Sequence, residues 1–365
     1  MSNSRLLRIA QVASLWTSVP PKTYGGAELI VHWLTEELVA RGHDVTLFAS
    51  KDSRTTGQLR AVCDYSVEEA MARGSAYEYQ HYAISNLTTA IQESCHFDVI
   101  HCHLGYSQIP LAVLSKTPVI FTPHVLPFID DLWVLKHYRN VCIAAVSHHQ
   151  AKAISNGSGH EASVVHHGID FSMYEPATTT GQYLLFLGRM GPQKSPLDAI
   201  RIAAASSMPI MLAGKPQNAD EEKYFITEIK PLINGTSVIF VGPVNHQEKN
   251  ELLKNAAALL FPIQGEEAFG IIMIEAMACG TPVVAIDRAS VSEVIDYGKT
   301  GFYAESIDEL ASLVPQALRL DRNNVREQAM RRFSHKRMVD DYTELYKSLI
   351  SDNRAKTHEQ QALVK

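Results

Sequence analysis

Short apolar runs, each closed by a turn residue and followed by a stretch of helical periodicity, recur along the chain from residue 6 to Ile286. Few folds accommodate that rhythm. A run that is apolar on both faces suits a strand covered by helices on both sides, which is the condition of a parallel sheet. The order strand, loop, helix, strand is how a doubly wound sheet opens. Residues 6–13 and Asp44–Ala49 read as the first two strands. The helix between them, 26–41, repeats apolar positions at Leu29, Ile30, Trp33, Leu34 and Leu38 and is stopped by Gly42. Phe97–His101, Pro118–Thr122 and Val141–Val146 continue the strands, with helices expected over 76–94, 107–115 and 147–155.

The composition then turns polar through Pro176-Ala-Thr-Thr-Thr-Gly181, which reads as a linker. A second alternation follows. Its strands are Tyr183–Leu187, Met208–Ala213, Ser237–Val241, Ala258–Phe261 and Pro282–Ile286, with helices over 195–206, 220–232, 247–255 and 270–279. The expected class is therefore α/β: two doubly wound parallel-sheet, Rossmann-like domains, residues 1–174 and 175–335. Residues 336–365 would form a terminal segment, helical over 337–350 and then polar and frayed from Ser351 to Lys365.

A chain of 365 residues, 46% hydrophobic and 20% charged, has the length for two cores and hence for a cleft between them. Its net charge of −6 argues against a nucleic-acid partner, which would normally show as a basic balance. The five cysteines are odd in number, scattered and without a CxxC pair, which suits free thiols in a reducing compartment such as the cytoplasm. Arg8 and Gln11 interrupt the N-terminal apolar run, so it reads as a buried strand rather than a signal peptide. No run reaches the roughly 18 apolar residues of a membrane span.

In open α/β sheets, ligands collect beyond the carboxyl ends of the strands. Gly25-Gly26-Ala27-Glu28, preceded by Tyr24, lies between the first strand and its helix. Paired glycines let the backbone approach a ligand and let helix N–H groups meet an anion, although a tight turn would use the same residues. It lacks the spacing of a dinucleotide fingerprint or a P-loop. Arg189 and Lys194 follow the strand ending at Leu187 and suit a diphosphate, or are solvated loop charges. His124 follows a strand and a proline; it suits a hydroxyl contact or proton transfer, or a structural place. His101-Cys102-His103 has the alternation for metal chelation but no third ligand nearby, and its histidines are expected to line a cleft instead.

The richest stretch is Gly265-Glu-Glu-Ala-Phe-Gly-Ile-Ile-Met-Ile-Glu-Ala-Met-Ala-Cys-Gly-Thr-Pro282. Glu266 and Glu267 precede Phe269-Gly270, where a helix can begin, and Gly280 and Pro282 end it. The first-turn N–H groups suit an anion, whereas carboxylates suit hydroxyls; acids at a helix start are also common dipole partners. Glu275 interrupts an otherwise apolar helix, and a carboxylate there needs a partner.

As an ordered set, Gly25-Gly26-Ala-Glu28, His124, Gly188-Arg189 with Lys194, and Glu267 with Glu275 resemble glycosyltransferase family 4, the retaining nucleotide-sugar transferases of the GT-B fold. Glu267 and Glu275 stand as that family's E-x7-E segment, and Arg41-Gly-His-Asp-Val45, His167-Gly-Ile-Asp170, Gly242-Pro-Val and Gly280-Thr-Pro-Val-Val-Ala285 also match. Two departures are Ile263 after Pro262, where serine is common, and Gln193 before Lys194, where an acid is common.

The resemblance implies a hexosyltransferase using a UDP- or GDP-sugar, with no metal and no other cofactor. Gly25 and Gly26 would approach the donor diphosphate and the acceptor. Arg189 and Lys194 would hold the diphosphate and stabilise its departure, and Glu267 would contact the sugar hydroxyls. The amides of Phe269, Gly270 and Ile271 would touch sugar or phosphate, Glu275 the ribose, and His124 the sugar near its reacting carbon. The last helix would return to the first domain. The acceptor, whether saccharide, lipid-linked or a small metabolite, would meet first-domain loops such as Leu126–Lys136, and peripheral membrane association is compatible with this. A nucleotide-sugar epimerase of the same fold, or a non-catalytic sugar-nucleotide binder, are the alternatives.

Overall fold

The computed structural model describes residues 5–22, 25–177, 179 and 181–363, with the backbone alone for Arg354 and residues 356–363. Tyr24, and Thr178 and Thr180 of the polar stretch, lie outside the described residues. The chain forms two compact units, one of residues up to Gly168 together with the segment from His335, the other Ile169–Ser334. The division thus falls at Gly168/Ile169 rather than in the polar stretch 176–181. Residues just past it are buried in the second unit: Phe171 and Tyr174 are 5% and 1% exposed.

In the first unit the strands are β1 (Arg8–Val12), β2 (Asp44–Ser50), β3 (Gln58–Cys63), β4 (Val99–Cys102), β5 (Val119–Phe121), β6 (Cys142–Ala145) and β7 (Ser163–Val164). Among the described residues they form one parallel sheet in the order β3-β2-β1-β4-β5-β6-β7. The central strands are apolar because helices cover both faces: Ile9, Ala10, Val12, Ile100, Cys102 and Phe121 are fully buried. The helix Gly26–Ala40 follows β1, buries Ile30, Val31, Trp33, Leu34 and Leu38, and ends at Gly42 in the left-handed conformation, φ +88°.

β3 and β7 have no counterpart among the expected strands. β3 is an edge strand whose Gln58, Leu59 and Arg60 are exposed, and β7 is two residues long; neither carries an apolar run. The stretch Leu126–Lys136, read as an acceptor loop, contains the helix Ile129–His137. Asp131 makes the start of this helix by accepting the Phe128 N–H at 2.9 Å. The expected helix over 107–115 is a 3-10 segment, Tyr106–Leu114, with Pro110 inside it. The terminal helix runs unbroken from His335 to Leu363, so residues 351–363 are helical rather than frayed. Arg, Lys, Glu, Gln and Ala in that stretch are strong helix formers, which polarity alone conceals. Tyr342 and Tyr346 on this helix are buried in the first unit.

In the second unit the strands are β8 (Leu184–Leu187), β9 (Ile210–Ala213), β10 (Val238–Gly242), β11 (Ala258–Phe261), β12 (Val283–Ile286) and β13 (Gly301–Ala304). Among the described residues they form a parallel sheet in the order β10-β9-β8-β11-β12-β13. β13 and the helices Ile307–Ala317 and Arg322–Phe333 extend the unit beyond what the alternation announces. The expected helix over 220–232 breaks into Ala219–Tyr224, a π-turn Phe225–Ile229 and a 3-10 turn Lys230–Leu232, where Pro231 supplies no N–H. On one face of the sheet the core gathers Leu184, Phe186, Leu212, Leu260 and Val284, with Ile200 and Ile202 of the covering helix packed against them. Among the described residues no helix is long and apolar enough to cross a membrane.

Candidate active site

The strand order reverses direction in each sheet, and there the loops part to leave a crevice at the strand carboxyl ends. In the second unit that point lies between β8 and β11, so the loops beyond Leu187 and Phe261 flank it. These loops carry Arg189 and Lys194 on one side and Glu266 and Glu267 on the other. They are laced together: the Gln193 carbonyl accepts the N–H groups of Gln264 and Gly265, each at 2.9 Å. Gly265 packs so close to Gln193 that a Cβ on it would lie 3.1 Å from the glutamine Cβ.

Lys194 forms an ion pair with Glu267. The next residue, Ser195, is held at φ +56°, and its hydroxyl donates to Asp198 Oδ2 at 2.6 Å. That fixed turn precedes the helix Pro196–Ala205 and sets where the Lys194 backbone leaves it. Arg189 pairs with Glu221 at 3.0 Å and donates to Gln217 Oε1 at 3.4 Å. Glu221 sits at the start of the helix Ala219–Tyr224, and nothing in the sequence marks it out. Its acid cluster, Asp220-Glu221-Glu222, reads as ordinary dipole partners.

Gly270 takes φ +81°, which a side chain resists, and its Cβ would lie 2.7 Å from Met273 Cε and 3.4 Å from Phe261 Cζ. The chain turns there into the helix Ile271–Ala278, one residue inside each expected end. Phe269 is buried against Phe333, and its carbonyl accepts the Ser290 hydroxyl at 2.9 Å. By helix geometry the first-turn N–H groups have no carbonyl within the helix to meet.

Glu275 is 5% exposed, and the partner its burial demands is double: its Oε1 accepts from the Tyr174 hydroxyl at 2.7 Å and pairs with Lys249. Burial, and then the Glu275 charge, push the Tyr174 phenol well above its ordinary value. Neither partner is legible in the sequence. Lys249 is one of many charges on the helix His246–Asn255, and Tyr174 stands 101 residues from Glu275.

In the first unit the reversal falls between β1 and β4. Gly26 opens the helix after β1, and Gly25 stands at its N-cap. A Cβ on Gly25 would lie 2.8 Å from Pro21 Cβ, 3.0 Å from Glu28 Oε2 and 3.0 Å from Thr17 Cγ2, so local packing already requires glycine there. Glu28 is 6% exposed, and burial raises its carboxyl above the ordinary value.

His124 follows β5. Its Nε2 lies 3.2 Å from His103 Nδ1 and its Nδ1 lies 3.3 Å from His167 Nε2. Burial pushes its imidazole down to about 4. His101 and His103, expected to line a cleft, are instead 0% and 4% exposed and bonded within the unit. Two residues apart on one strand, they share a face, and that face is the core side where Gln11, Thr122 and Tyr346 receive them. A polar Gln11 inside a buried strand was the available signal for this cluster.

Lys194 and Glu267 are thus in contact, whereas Arg189 is tied to Glu221, and Glu275 to Lys249 and Tyr174. Gly25, Gly26 and His124 belong to the first unit.

The known proteins this chain resembles bear on both units. Residues 24–172 match the family model described as Glycosyltransferase Family 4, and residues 174–332 match that described as Glycosyl transferases group 1. The chain is 24% identical over 333 residues to a glycogen synthase of Mycobacterium tuberculosis, covering 77% of this chain and 79% of that one. It is 24% identical over 315 residues to a D-inositol 3-phosphate glycosyltransferase of Mycolicibacterium smegmatis, covering 73% and 71%. Among solved structures, Anabaena HepE in complex with UDP and glucose superimposes with a TM-score of 0.71 at 18% identity, over 94% of this chain and all of that one.

Proposed function

The chain belongs to the glycosyltransferases of family 4 with the GT-B fold, and from that premise we propose that it moves a hexose from a UDP- or GDP-sugar to a hydroxyl acceptor, with retention and without a metal. The observation that carries this reading is the meeting of a cation, a carboxylate and a helix N-terminus at the β8/β11 reversal: Lys194 against Glu267, and Glu267 beside the turn at Gly270.

The chemistry follows from what each group can do. In transfer, the bond from the anomeric carbon to the diphosphate oxygen breaks, and negative charge grows on the leaving diphosphate. Arg189 and Lys194 offer fixed positive charge there, and the N–H groups of Phe269, Gly270 and Ile271 offer oriented dipoles; groups already aimed at developing charge lower the barrier more than any other device open to such a site. Glu267, an acceptor only, suits the hydroxyls of the transferred sugar. Glu275 has Oε1 committed to Tyr174 and Lys249, and we assign its other oxygen to the ribose hydroxyls. Gly25 and Gly26 take the approach to diphosphate and acceptor, and His124 the sugar near its reacting carbon.

Retention places the acceptor on the face from which the diphosphate departs. The acceptor oxygen bonds to the anomeric carbon while its proton passes to a diphosphate oxygen, so no side chain forms a covalent intermediate. Two cations in the diphosphate role would stand in for the divalent ion that many other transferases use. A reducing compartment such as the cytoplasm is the fitting location, and lipid-linked, saccharide and small-metabolite acceptors all remain within the reading.

The test is a panel of uridine, guanosine and adenosine diphosphate sugars, with nucleoside diphosphate release followed with and without acceptors and with EDTA present. Because HepE holds UDP and glucose, UDP-glucose is the first donor to try. Acceptor-dependent release that survives EDTA and is lost in Arg189→Ala and Glu267→Ala supports the reading. Release indifferent to both substitutions, or conversion of the donor with no acceptor, overturns it.

A further inference from the structure

The first unit contains a polar chain of which the transfer reaction as described uses one member, His124. The Gln11 carboxamide donates through Nε2 to the Tyr346 hydroxyl at 3.2 Å and offers Oε1 to His103 Nε2 at 2.8 Å. This orientation fixes the protons on the histidine side of the chain. His103 must carry its proton on Nε2, so its Nδ1 accepts, and the proton between it and His124 belongs to His124 Nε2. The Nδ1 of His124 then accepts from His167 Nε2. On the other side, the Tyr346 hydroxyl lies 2.6 Å from His101 Nδ1, and His101 Nε2 lies 2.7 Å from Thr122 Oγ1. The Thr122 and Tyr342 hydroxyls lie 3.1 Å apart.

The donors therefore run head to tail from His167 through His124, His103 and Gln11 to Tyr346. The rings also lie near one plane, as hydrogen bonds between ring nitrogens require: His103 and His124 are inclined by 21° with centroids 5.4 Å apart, and His124 and His167 by 19° at 5.1 Å. Such a chain polarises its members in one sense. It also resists charge, because a second proton on His124 would set its Nδ1–H against the N–H of His167, donor facing donor.

We propose that Gln11, His103 and His167 are positioning residues for His124, holding its imidazole uncharged, protonated on Nε2 and fixed in rotation. This rests on the functional reading above for its purpose. As the diphosphate leaves, positive charge grows at the anomeric carbon, and an imidazolium beside it would oppose that step whereas a neutral ring does not. The groups facing the chain are consistent with a neutral ring: the neighbouring histidines act on one another, and Arg337 and His166 press on His167 in the same direction. The terminal helix enters the arrangement through Tyr342 and Tyr346, which accounts for two phenols at 1% and 0% exposure in the first unit's core.

Histidine-ring 15N spectra of the full chain, titrated from pH 8 to 4, test this without any substrate. The wild type should show His124 protonated on Nε2 and neutral through pH 6. Gln11→Glu puts a carboxylate at the Oε1 position, so the chain should take up its extra proton at least one pH unit higher, whereas Gln11→Met should not. Turnover of Gln11→Glu should then fall about tenfold for each pH unit below its new titration point and recover above it, with the donor KM little changed. A merely structural defect would lower turnover at all pH values alike. Should Gln11→Glu fail to fold, His167→Leu reads the other end: losing the opposing donor should raise the His124 titration.

A wild-type His124 protonated on Nδ1, or one whose titration ignores both substitutions, overturns the proposal. A spectroscopic shift with an unchanged pH profile of turnover overturns its catalytic purpose. A wild type that turns over no donor sinks the functional reading instead, and leaves the ring assignments to stand or fall by themselves.

Discussion

Removing the Lys194 charge offers the sharpest perturbation, because the structure bounds its size. Two unit charges about 4 Å apart are worth about 1 kcal/mol in water and about 4 kcal/mol at an effective dielectric of about 20. The Lys194 and Glu267 side chains keep 21% and 28% of their accessible surface, so the site lies between those limits. A working value of about 2 kcal/mol follows. If the ammonium leans on the departing diphosphate to that extent, Lys194→Met lowers turnover at saturating donor by about 30-fold.

The same geometry predicts a coupling. In the free enzyme Lys194 neutralises Glu267, so Lys194→Met leaves a half-buried carboxylate that has lost its partner, and Glu267→Gln leaves the mirror situation. The double variant should cost less stability than the two single changes summed. Initial rates of nucleoside diphosphate release at saturating donor give the first number, and urea midpoints of all four proteins give the second. Turnover of a folded Lys194→Met within twofold of wild type would refute the assignment of charge stabilisation to this residue. Strict additivity in the urea cycle would refute the ion pair as an energetic unit.

Three further outcomes follow from other parts of the molecule. Glu275→Ala strands the Lys249 ammonium, whose side chain is 16% exposed, and the Tyr174 hydroxyl; it should cost about 3 kcal/mol and weaken donor binding, and Lys249→Met should restore part of the stability but not the binding, as read by urea unfolding and nucleotide titration. Gly270→Ala forces a side chain to φ +81° with its Cβ 2.7 Å from Met273, at about 2 kcal/mol. Its melting temperature should fall further than that of Gly298→Ala, where φ is +72° but nothing lies within 4 Å; equal falls would mean that Met273 simply moves aside. Stability should also decline from pH 6.5 towards 4. His101, His103, His124 and His167 all have folded values below the ordinary 6.5, so the unfolded chain takes up protons that the folded one refuses; the stability they contribute is whole above 6.5 and is lost as the pH falls. Each proton is worth a slope of about 1.4 kcal/mol per pH unit. His124→Phe should flatten the urea midpoint against pH in that window, and an unchanged slope would count against it.

Much of the architecture was readable because it depends on pattern. Strands buried on both faces must be apolar, and helices covering them must repeat at helical spacing, so β1, β2, β4, β5, β6, β8, β9, β10, β11 and β12 announced themselves. The strands β3, β7 and β13 did not: each lies at an edge of its sheet, where a strand need not be an apolar run, and β7 is only two residues long. The terminal helix ran past Ser351 because helix propensity, rather than hydrophobicity, carries it.

What the sequence by itself determined is the inventory of the site: cations after β8, acids and a glycine turn after β11, glycines after β1, a histidine after β5. Loop chemistry is local, whereas the sheet order that creates the reversal points is tertiary. Only the tertiary structure decided who neutralises whom. Lys194 meets Glu267, Arg189 meets Glu221, and Glu275 meets Lys249 and Tyr174, partners 73, 32, 26 and 101 residues apart, as 267 − 194, 221 − 189, 275 − 249 and 275 − 174 give. The histidine chain is of the same kind. Its direction is set by one carboxamide in β1, which reaches a phenol on the last helix and a histidine beyond β4, and no local window contains that path.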